Sequence, residues 1–162
     1  MIVVLMGVSG SGKTTVGKIL AHDLGWTFVE ADDYHPAANV EKMRRGVPLD
    51  DDDRRPWLQA LRERIDEAVE RGEDVVLACS ALKHSYQDYL EKHHPDNVRY
   101  VHLRGSEELI RRRLAERKGH FMNPGLLHSQ FETLEPPGDA LQVDSAPPPE
   151  VIAAEVHRRL GL

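Results

Sequence analysis

A glycine-rich stretch near the N-terminus carries the residues best suited to phosphate chemistry. It runs from Gly7 to Thr15 and fits the pattern G-x-x-x-x-G-K-[ST]. Glycines allow positive φ, so successive backbone N–H groups can point at one anion. The spacing therefore predicts a loop that binds nucleotide phosphates through Gly7, Val8, Ser9, Gly10, Ser11, Gly12, Lys13, Thr14 and Thr15.

Two side chains of this loop have separate expected tasks. The Lys13 ammonium is expected to reach the β- and γ-phosphates, and the Thr14 hydroxyl to hold Mg²⁺. The following helix would add unpaired N–H groups and the positive end of its dipole. The apolar run Ile2–Met6 before the loop and an i, i+3, i+4 apolar stripe after it predict the strand–loop–helix context that the motif needs.

A pair of acids follows the next apolar run. Asp32 and Asp33 come shortly after Trp26–Val29, which is a predicted strand. In open parallel α/β sheets the ligand crevice lies outside the carboxyl ends of the strands, where the phosphate loop also lies. The pair is therefore predicted to face the nucleotide, with a helix cap or a turn as the alternative.

A third apolar run, Val75–Cys79, predicts a buried central strand. Ser80 and Lys83 follow it and are candidate site residues, although Lys83 could also be an ordinary surface lysine. Cys79 is the only cysteine, which excludes an internal disulfide and is compatible with a reducing cytoplasm. Its surroundings favour a small core residue over a nucleophile.

Positive charge is concentrated late in the chain. Between Arg104 and Lys118 there are six positive and three negative residues, although the protein has a net charge of −6. This excess favours a small bound polyanion, and a solvated helix face would have the same composition. The next segment, 117–125, contains two glycines and a proline, which predicts a mobile flap that closes on the phosphates, or else an ordinary exposed loop.

The remaining patterns alternate helices with strands. A run of four aspartates followed by Pro56 predicts a helix that begins with an Asp cap and has the proline near its first position. Five short strands alternating with helices predict an α/β fold with a parallel sheet and right-handed crossovers. The other predicted elements are a helix over 39–45, a strand over 98–103 with a helix after it, a helix over 127–134, a strand over 140–143 and a final helix after Pro149.

Bulk properties narrow the class of protein. A chain of 162 residues with 40% hydrophobic and 30% charged residues predicts one globular domain. The negative net charge argues against nucleic acid as a partner. No apolar run is long enough to span a membrane, and we expect a cytoplasmic protein. The nine histidines show no zinc-ligand spacing.

Phosphate binding alone leaves several activities open. A GTPase is disfavoured because no Asn-Lys-x-Asp motif occurs. Motor ATPases and transporters usually need a strand ending in Asp, whereas Val75–Cys79 is followed by Ser80. The small size and the basic flap favour a kinase of a small metabolite. A nucleotide-binding regulator without turnover is the alternative from another class.

Several blocks of the sequence resemble the P-loop gluconokinases, and together they cover nearly the whole chain. The P-loop is common to many families, whereas the blocks around His35, Trp57 and Cys79 are more specific. The matching blocks are 7–17, 32–36, Asn39, 42–43, 46–49, 51–54, 56–58, 78–83, 117–122, 129–131 and 134–136. One departure is Glu30, where many members carry Asp, and this makes its part in a water-mediated Mg²⁺ contact uncertain.

The resemblance implies an ATP:D-gluconate 6-phosphotransferase with a nucleoside-monophosphate-kinase-like, three-layer α/β/α fold. It implies one domain over 1–162, a substrate-binding insert at about 34–57, a lid at about 117–127, Mg²⁺ and a homodimer. A kinase of another small hydroxy acid, such as shikimate, is the nearest alternative.

Roles for individual residues follow from the resemblance and from the chemistry of gluconate. The expected catalytic residues are Lys13, Asp32 and Arg117, with Asp33 competing with Asp32 to contact the attacking hydroxyl. Mg²⁺ would be held by Thr14 and Asp32. Nucleotide contacts are also expected from Arg113, Arg117 and Pro147, with Lys118 closing on the phosphates. Gluconate contacts are expected from Asp32, Asp33, His35, Arg54, Lys83 and Gln130.

Overall fold

The computed structural model describes residues 1–117 and 124–162. Strands and helices alternate through most of the chain, and a short 3₁₀ helix, Ala31–Tyr34, follows the second strand. The strands are β1 (Ile2–Met6), β2 (Thr27–Glu30), β3 (Val75–Ala78), β4 (Val98–Arg104) and β5 (Leu141–Asp144). The helices are α1 (Lys13–Leu24), α2 (Ala37–Arg44), α3 (Asp51–Glu70), α4 (His84–Glu91), α5 (Glu107–Glu116), α6 (Pro124–Thr133) and α7 (Pro149–Leu160).

The five strands form one parallel sheet in the order β2-β3-β1-β4-β5. β1 lies at the centre, and all of its residues are fully buried. Because the strands are parallel, their carboxyl ends meet at one edge of the sheet, and the loop from Gly7 to Gly12 leaves β1 there. The predicted α/β class and parallel sheet are confirmed.

Alternate residues of β1 belong to two different cores, as the period of a strand requires. Ile2 and Val4 lie in a cluster with side chains of α3 and α4, among them Trp57 and Leu90. Val3 and Leu5 lie in a second cluster with α1 and α7, which include Val16, Leu20, Ile152 and Val156. The sheet is therefore covered on both faces, which gives three layers.

A third, smaller core lies beside the phosphate loop. Val8 of the loop packs with Leu82, Ile110 and Leu127. A Cβ on Gly10 would lie 2.9 Å from the Leu114 side chain of α5, so the loop and this helix are in close contact. Both α5 and α6 are thus packed against the loop.

Two details of the helix predictions are wrong. Asp50 caps α3 and forms a capping box with Asp53, as the acidic run predicts, but Pro56 lies inside the helix rather than near its first position. The capping box starts the helix earlier, because it satisfies N–H groups at the residues before the proline. Pro124 and Gly125, expected to interrupt the helical pattern, are the first residues of α6, where proline is well tolerated.

The predicted lid is described only in part. Residues 118–123, including Lys118, lie outside the described residues, so the prediction of a flap there stays a prediction. Arg117 ends α5, and α6 includes the last residues of the predicted lid. Within 1–117 and 124–162, no helix is both long enough and apolar enough to cross a membrane.

Candidate active site

The phosphate loop has the backbone conformation that its glycines predict. The φ angles of Gly7, Gly10 and Gly12 are 149°, 80° and 97°, a region that side chains rarely allow. A Cβ on Gly7 would also lie only 2.9 Å from the carbonyl oxygen of Leu103. Gly12 is the N-cap of α1, so the first N–H groups of that helix open toward the loop.

Lys13 is anchored to its own loop. Its ammonium donates hydrogen bonds to the carbonyl oxygens of Gly7 at 3.0 Å and Val8 at 2.9 Å. Burial lowers the pKa of Lys13 from its ordinary value, while the carboxylates of Asp32 and Glu30 act in the opposite direction. An ammonium has three hydrogens, so one is left for an anion in the loop.

Glu30 meets the first turn of α1. The Thr14 hydroxyl donates a hydrogen bond to the Glu30 carboxylate, and the Asp32 backbone N–H lies 3.4 Å from the other carboxylate oxygen. Burial raises the pKa of Glu30, although the hydrogen bond from Thr14 acts against this rise. The structure thus brings Thr14, whose hydroxyl is predicted to hold Mg²⁺, into contact with Glu30.

A cavity of about 370 Å³ opens on one side of the loop, and we call it the insert cavity. The sequence-predicted site residues that line it are Ser9, Lys13, Asp32, His35, Arg54, Ser80 and Gln130. Its apolar wall comes mainly from α2 and the segment after it. That wall consists of Val40, Met43, Val47, Pro48 and Leu49, with Leu126 from α6.

His35 is fixed in this cavity from two sides. Its ring stacks on Trp57 with 4.3 Å between centroids and 10° between planes. Its Nδ1 lies 3.2 Å from the amide nitrogen of Asn39, which also donates to the Asp53 carbonyl oxygen at 2.7 Å. Because an amide nitrogen only donates, Nδ1 accepts and the proton of the neutral ring is on Nε2. Burial lowers the pKa of His35, which favours this neutral form.

The two predicted carboxylate-binding cations have different surroundings. The Arg54 guanidinium donates to the Tyr86 hydroxyl at 3.0 Å, and both residues line the insert cavity. Lys83 instead pairs with Asp51 at 3.2 Å and is not among the residues lining the insert cavity. Its pKa is raised chiefly by this hydrogen bond.

Two further predicted contacts are also separated by the structure. Both Asp32 and Asp33 are exposed, but only Asp32 is among the residues that line the insert cavity. Gln130 reaches the cavity but is hydrogen-bonded to the loop. The side-chain oxygen of Gln130 accepts from the Ser9 backbone N–H at 2.7 Å, and its side-chain nitrogen donates to the Ser9 hydroxyl at 3.1 Å.

A second cavity, of about 460 Å³, lies on the other side of the loop, and we call it the proline cavity. Arg113, Arg117 and Pro147 meet there, as expected for nucleotide contacts. Arg113 also donates to the Ala146 carbonyl oxygen at 3.1 Å, which ties α5 to the segment after β5. The loop residues that line this cavity are Gly10, Ser11, Gly12 and Thr15.

Other side chains gain importance only in the structure. Asn39 and Trp57 belong to the blocks that carry the family resemblance, but no pattern predicts that they hold His35. Tyr86 belongs to no motif, and its only sequence signal is its position near Lys83 in a helical segment. Burial raises the pKa of Cys79 to about 12, which supports its interpretation as a core residue.

Comparison with known proteins places this site in a family. A family model described as an AAA domain matches residues 2–136. A probable gluconokinase from Xenopus tropicalis is 54% identical over 151 residues, and the match covers 85% of this chain and 80% of that protein. The chain belongs to the gluconokinase family. The thermoresistant gluconokinase of Escherichia coli K12 is 45% identical, with 94% of this chain and 89% of that protein covered.

The gluconokinase similarity extends to a solved structure. A gluconokinase from Sinorhizobium meliloti 1021 superposes with a TM-score of 0.84 at 43% identity, and the match covers 98% of this chain and 94% of that one. The match therefore extends over nearly the whole length of both chains.

Proposed function

We propose that this protein transfers the γ-phosphoryl group of ATP to the 6-hydroxyl of D-gluconate, giving 6-phospho-D-gluconate and ADP. Sequence identity of 45–54% to gluconokinases over most of the chain is the observation that carries this proposal. The phosphate loop between two cavities supports it, because a kinase has to bring a nucleotide and an acceptor to the same phosphate.

The nucleotide belongs in the proline cavity. Its phosphates would lie on the loop N–H groups at the start of α1, where the helix dipole and unpaired donors favour anions. Arg113 and Pro147 are positioned beside the space that a base and ribose need. Arg117, at the end of α5, would bring a second positive charge to the phosphates, together with Lys13.

Gluconate belongs in the insert cavity. Its carboxylate needs a cation, and Arg54 is the predicted cation that lines the cavity. The Nε2–H of His35 would donate to an oxygen of gluconate, either a hydroxyl or the carboxylate. Lys83, Asp33 and Gln130 stay predicted gluconate contacts, and their positions support them less than those of Arg54 and His35.

The transfer step needs alignment more than a strong base. The 6-hydroxyl oxygen bonds to the γ-phosphorus, the bond from that phosphorus to the β–γ bridging oxygen breaks, and the hydroxyl proton passes to Asp32. Asp32 is the acid that lines the cavity together with Lys13. Since the transition state is loose, positioning by Asp32 and charge neutralisation by Lys13 account for most of the expected acceleration.

Mg²⁺ fits the oxygen donors at the start of α1. The Thr14 hydroxyl and the Glu30 carboxylate are in contact, and Asp32 follows within the same turn. Hydroxyl and carboxylate oxygens with substrate phosphates form the usual protein environment of this ion. When bound, Mg²⁺ neutralises charge on the β- and γ-phosphate oxygens. Thr14 and Asp32 are its proposed ligands, directly or through water, and Glu30 would orient Thr14.

We also propose that the protein works as a homodimer in the cytoplasm. The homodimer is expected from the family resemblance. The cytoplasmic location is expected from the single cysteine, which is buried and free. Light scattering at micromolar concentration measures the oligomeric state, and a mass equal to that of one chain would contradict the homodimer.

The first experiment is an ADP-release assay with MgATP and D-gluconate, with shikimate, glucose, glycerate and no acceptor as parallel reactions. ADP release with gluconate alone is expected, and 6-phosphogluconate dehydrogenase should oxidise the product. Turnover with shikimate but not gluconate would favour the alternative acceptor. ADP release in no reaction would favour a nucleotide-binding regulator.

A further inference from the structure

The hydroxyl of Tyr86 connects Arg54 to an acidic residue outside the insert cavity. It donates a hydrogen bond to the Asp51 carboxylate at 2.5 Å and accepts one from the Arg54 guanidinium at 3.0 Å. The Tyr86 side chain is 5% exposed, so this oxygen is held in place by its surroundings. Arg54 and Asp51 are both on the first turn of α3, whereas Tyr86 is on α4.

Two cations flank the Tyr86 ring. The Arg54 guanidinium lies 5.4 Å and the Lys83 ammonium 5.5 Å from the ring centroid, within the range of cation–π attraction. Lys83 also donates to the Asp51 carboxylate at 3.2 Å. The pKa of Asp51 is lowered first by its hydrogen bond from Tyr86 and then by that from Lys83, so this carboxylate stays charged.

The direction of each hydrogen bond follows from the groups involved. Asp51 is ionised and only accepts, so the phenol proton points to Asp51 and a phenol lone pair faces Arg54. A guanidinium has five N–H groups in a rigid fork. With one of them on the phenol oxygen, the orientation of the fork is fixed and two others can still bind a carboxylate together.

We propose that Tyr86 is a positioning residue that, with Asp51, holds the Arg54 guanidinium in the orientation that selects acceptors carrying a carboxylate. In this proposal Lys83 is the counter-ion of Asp51, and this role replaces its predicted contact with gluconate. This inference rests on the proposed function, because it assigns the gluconate carboxylate to Arg54. It locates acceptor selectivity in the contact between α3 and α4.

The test compares gluconate with D-glucitol, a neutral polyol of the same chain length, as a competitive inhibitor. Tyr86→Phe keeps the ring and removes only the hydroxyl. We expect the KM for gluconate to rise roughly tenfold, the scale of one hydrogen bond to a charged group. The Ki for D-glucitol and the KM for ATP should change less than about twofold, a shift too small for a hydrogen-bond loss.

Three further variants separate the possible causes. Tyr89→Phe is the matched control, because Tyr89 is on the same helix, contacts Arg62 instead and is not among the residues lining the insert cavity. It should leave all constants unchanged. Arg54→Gln should raise the KM for gluconate far more than the Ki for D-glucitol. Lys83→Met should have a smaller effect on gluconate than Tyr86→Phe, and thermal unfolding of each variant checks the fold.

Each unfavourable result has a distinct meaning. If Tyr86→Phe lowers the unfolding temperature but raises the gluconate and D-glucitol constants equally, Tyr86 only joins two helices and the inference is wrong. If Arg54→Gln raises the KM for gluconate and the Ki for D-glucitol equally, Arg54 does not bind the carboxylate. This result would also overturn the inference. Neither result touches the proposed function, which fails only if the unmodified protein does not phosphorylate gluconate.

Discussion

Lys13 shows most clearly how one side chain can serve both the loop and its ligand. Two of its ammonium hydrogens close the loop on the carbonyl oxygens of Gly7 and Val8, and the third is available to phosphate. Such an anchored charge needs little reorganisation when negative charge moves during the reaction. Contact between Lys13 and the β- and γ-phosphates stays a prediction of the glycine-rich pattern.

Lys13→Ala should lower kcat by at least about a hundredfold, because it removes a positive charge from the transferring phosphate. The fold should remain, and circular dichroism is expected to be unchanged. Lys18→Ala, on the exposed side of the same helix, is the control and should keep normal turnover. Near-normal kcat in Lys13→Ala would refute the assignment.

The two adjacent aspartates allow a second comparison at the residue scale. Asp32→Asn should reduce kcat by about a hundredfold, since the amide cannot take the hydroxyl proton. It should change the KM for ATP much less. Asp33→Asn should have little effect on kcat, because Asp33 lies outside the cavity lining. The opposite ranking in steady-state assays would transfer the role to Asp33.

Single residues were predictable where a motif specifies both type and position. Lys13 and Thr14 belong to such a motif, and the end of a strand led to the prediction that Asp32 faces the site, where it lines the insert cavity with Lys13. The sequence could not separate Arg54 from Lys83, since either cation could bind a carboxylate. The difference depends on Tyr86 and Asp51, whose contacts join residues 32 and 35 positions apart in the chain.

Among the secondary-structure elements, α3 connects the insert cavity to the proposed catalytic turn. Its first turn carries Asp51 and Arg54, and its second carries Trp57, whose indole N–H donates to the Ala31 carbonyl oxygen at 2.7 Å. Ala31 begins the short helix that contains Asp32. The indole therefore ties α3 to the turn that holds the proposed catalytic acid.

Trp57→Phe should lower the free energy of unfolding by about 2 kcal/mol, because the buried Ala31 carbonyl loses its donor. It should also raise the KM for gluconate, since His35 loses part of its stacking surface. Urea unfolding followed by circular dichroism measures the first effect. Trp26→Phe is the comparison, and its smaller cost is expected because Trp26 is only half-buried.

Helix boundaries show why element prediction is incomplete. The acidic run before α3 correctly indicated an Asp cap, but the position of Pro56 suggested a later start than the one observed. A proline is favoured at the first helical position and only tolerated further in. The reciprocal hydrogen bonds of Asp50 and Asp53 stabilise the earlier start, and spacing alone does not reveal them.

On the scale of the whole molecule, the phosphate loop separates two cavities with different linings. Basic residues and prolines line the proline cavity, whereas the insert cavity combines Arg54 and His35 with an apolar wall from α2. The parallel sheet was predictable from apolar runs separated by helical patterns, whereas the order of its strands was not predicted. The separation into two cavities was not, because it depends on how α5, α6 and the insert pack around the loop.

This separation predicts that the two substrates respond to different variants. Arg113→Ala should raise the KM for ATP several-fold by removing a charged contact, in the range of an exposed ionic interaction. The KM for gluconate should stay within about twofold, because Arg113 lines only the proline cavity. Arg112→Ala on the same helix is the control. Equal changes in both KM values would contradict independent cavities.

The central position of β1 has a consequence for the synthesis of the protein. β1 is made before both of its partners, because β3 and β4 begin only at residues 75 and 98. One edge stays unpaired until β3 has been made, and the other until β4 has been made. Long sequence separations between partners slow folding, and exposed apolar edges promote aggregation. The nascent chain therefore carries its most apolar strand unprotected for longest, a period in which chaperone binding would matter most.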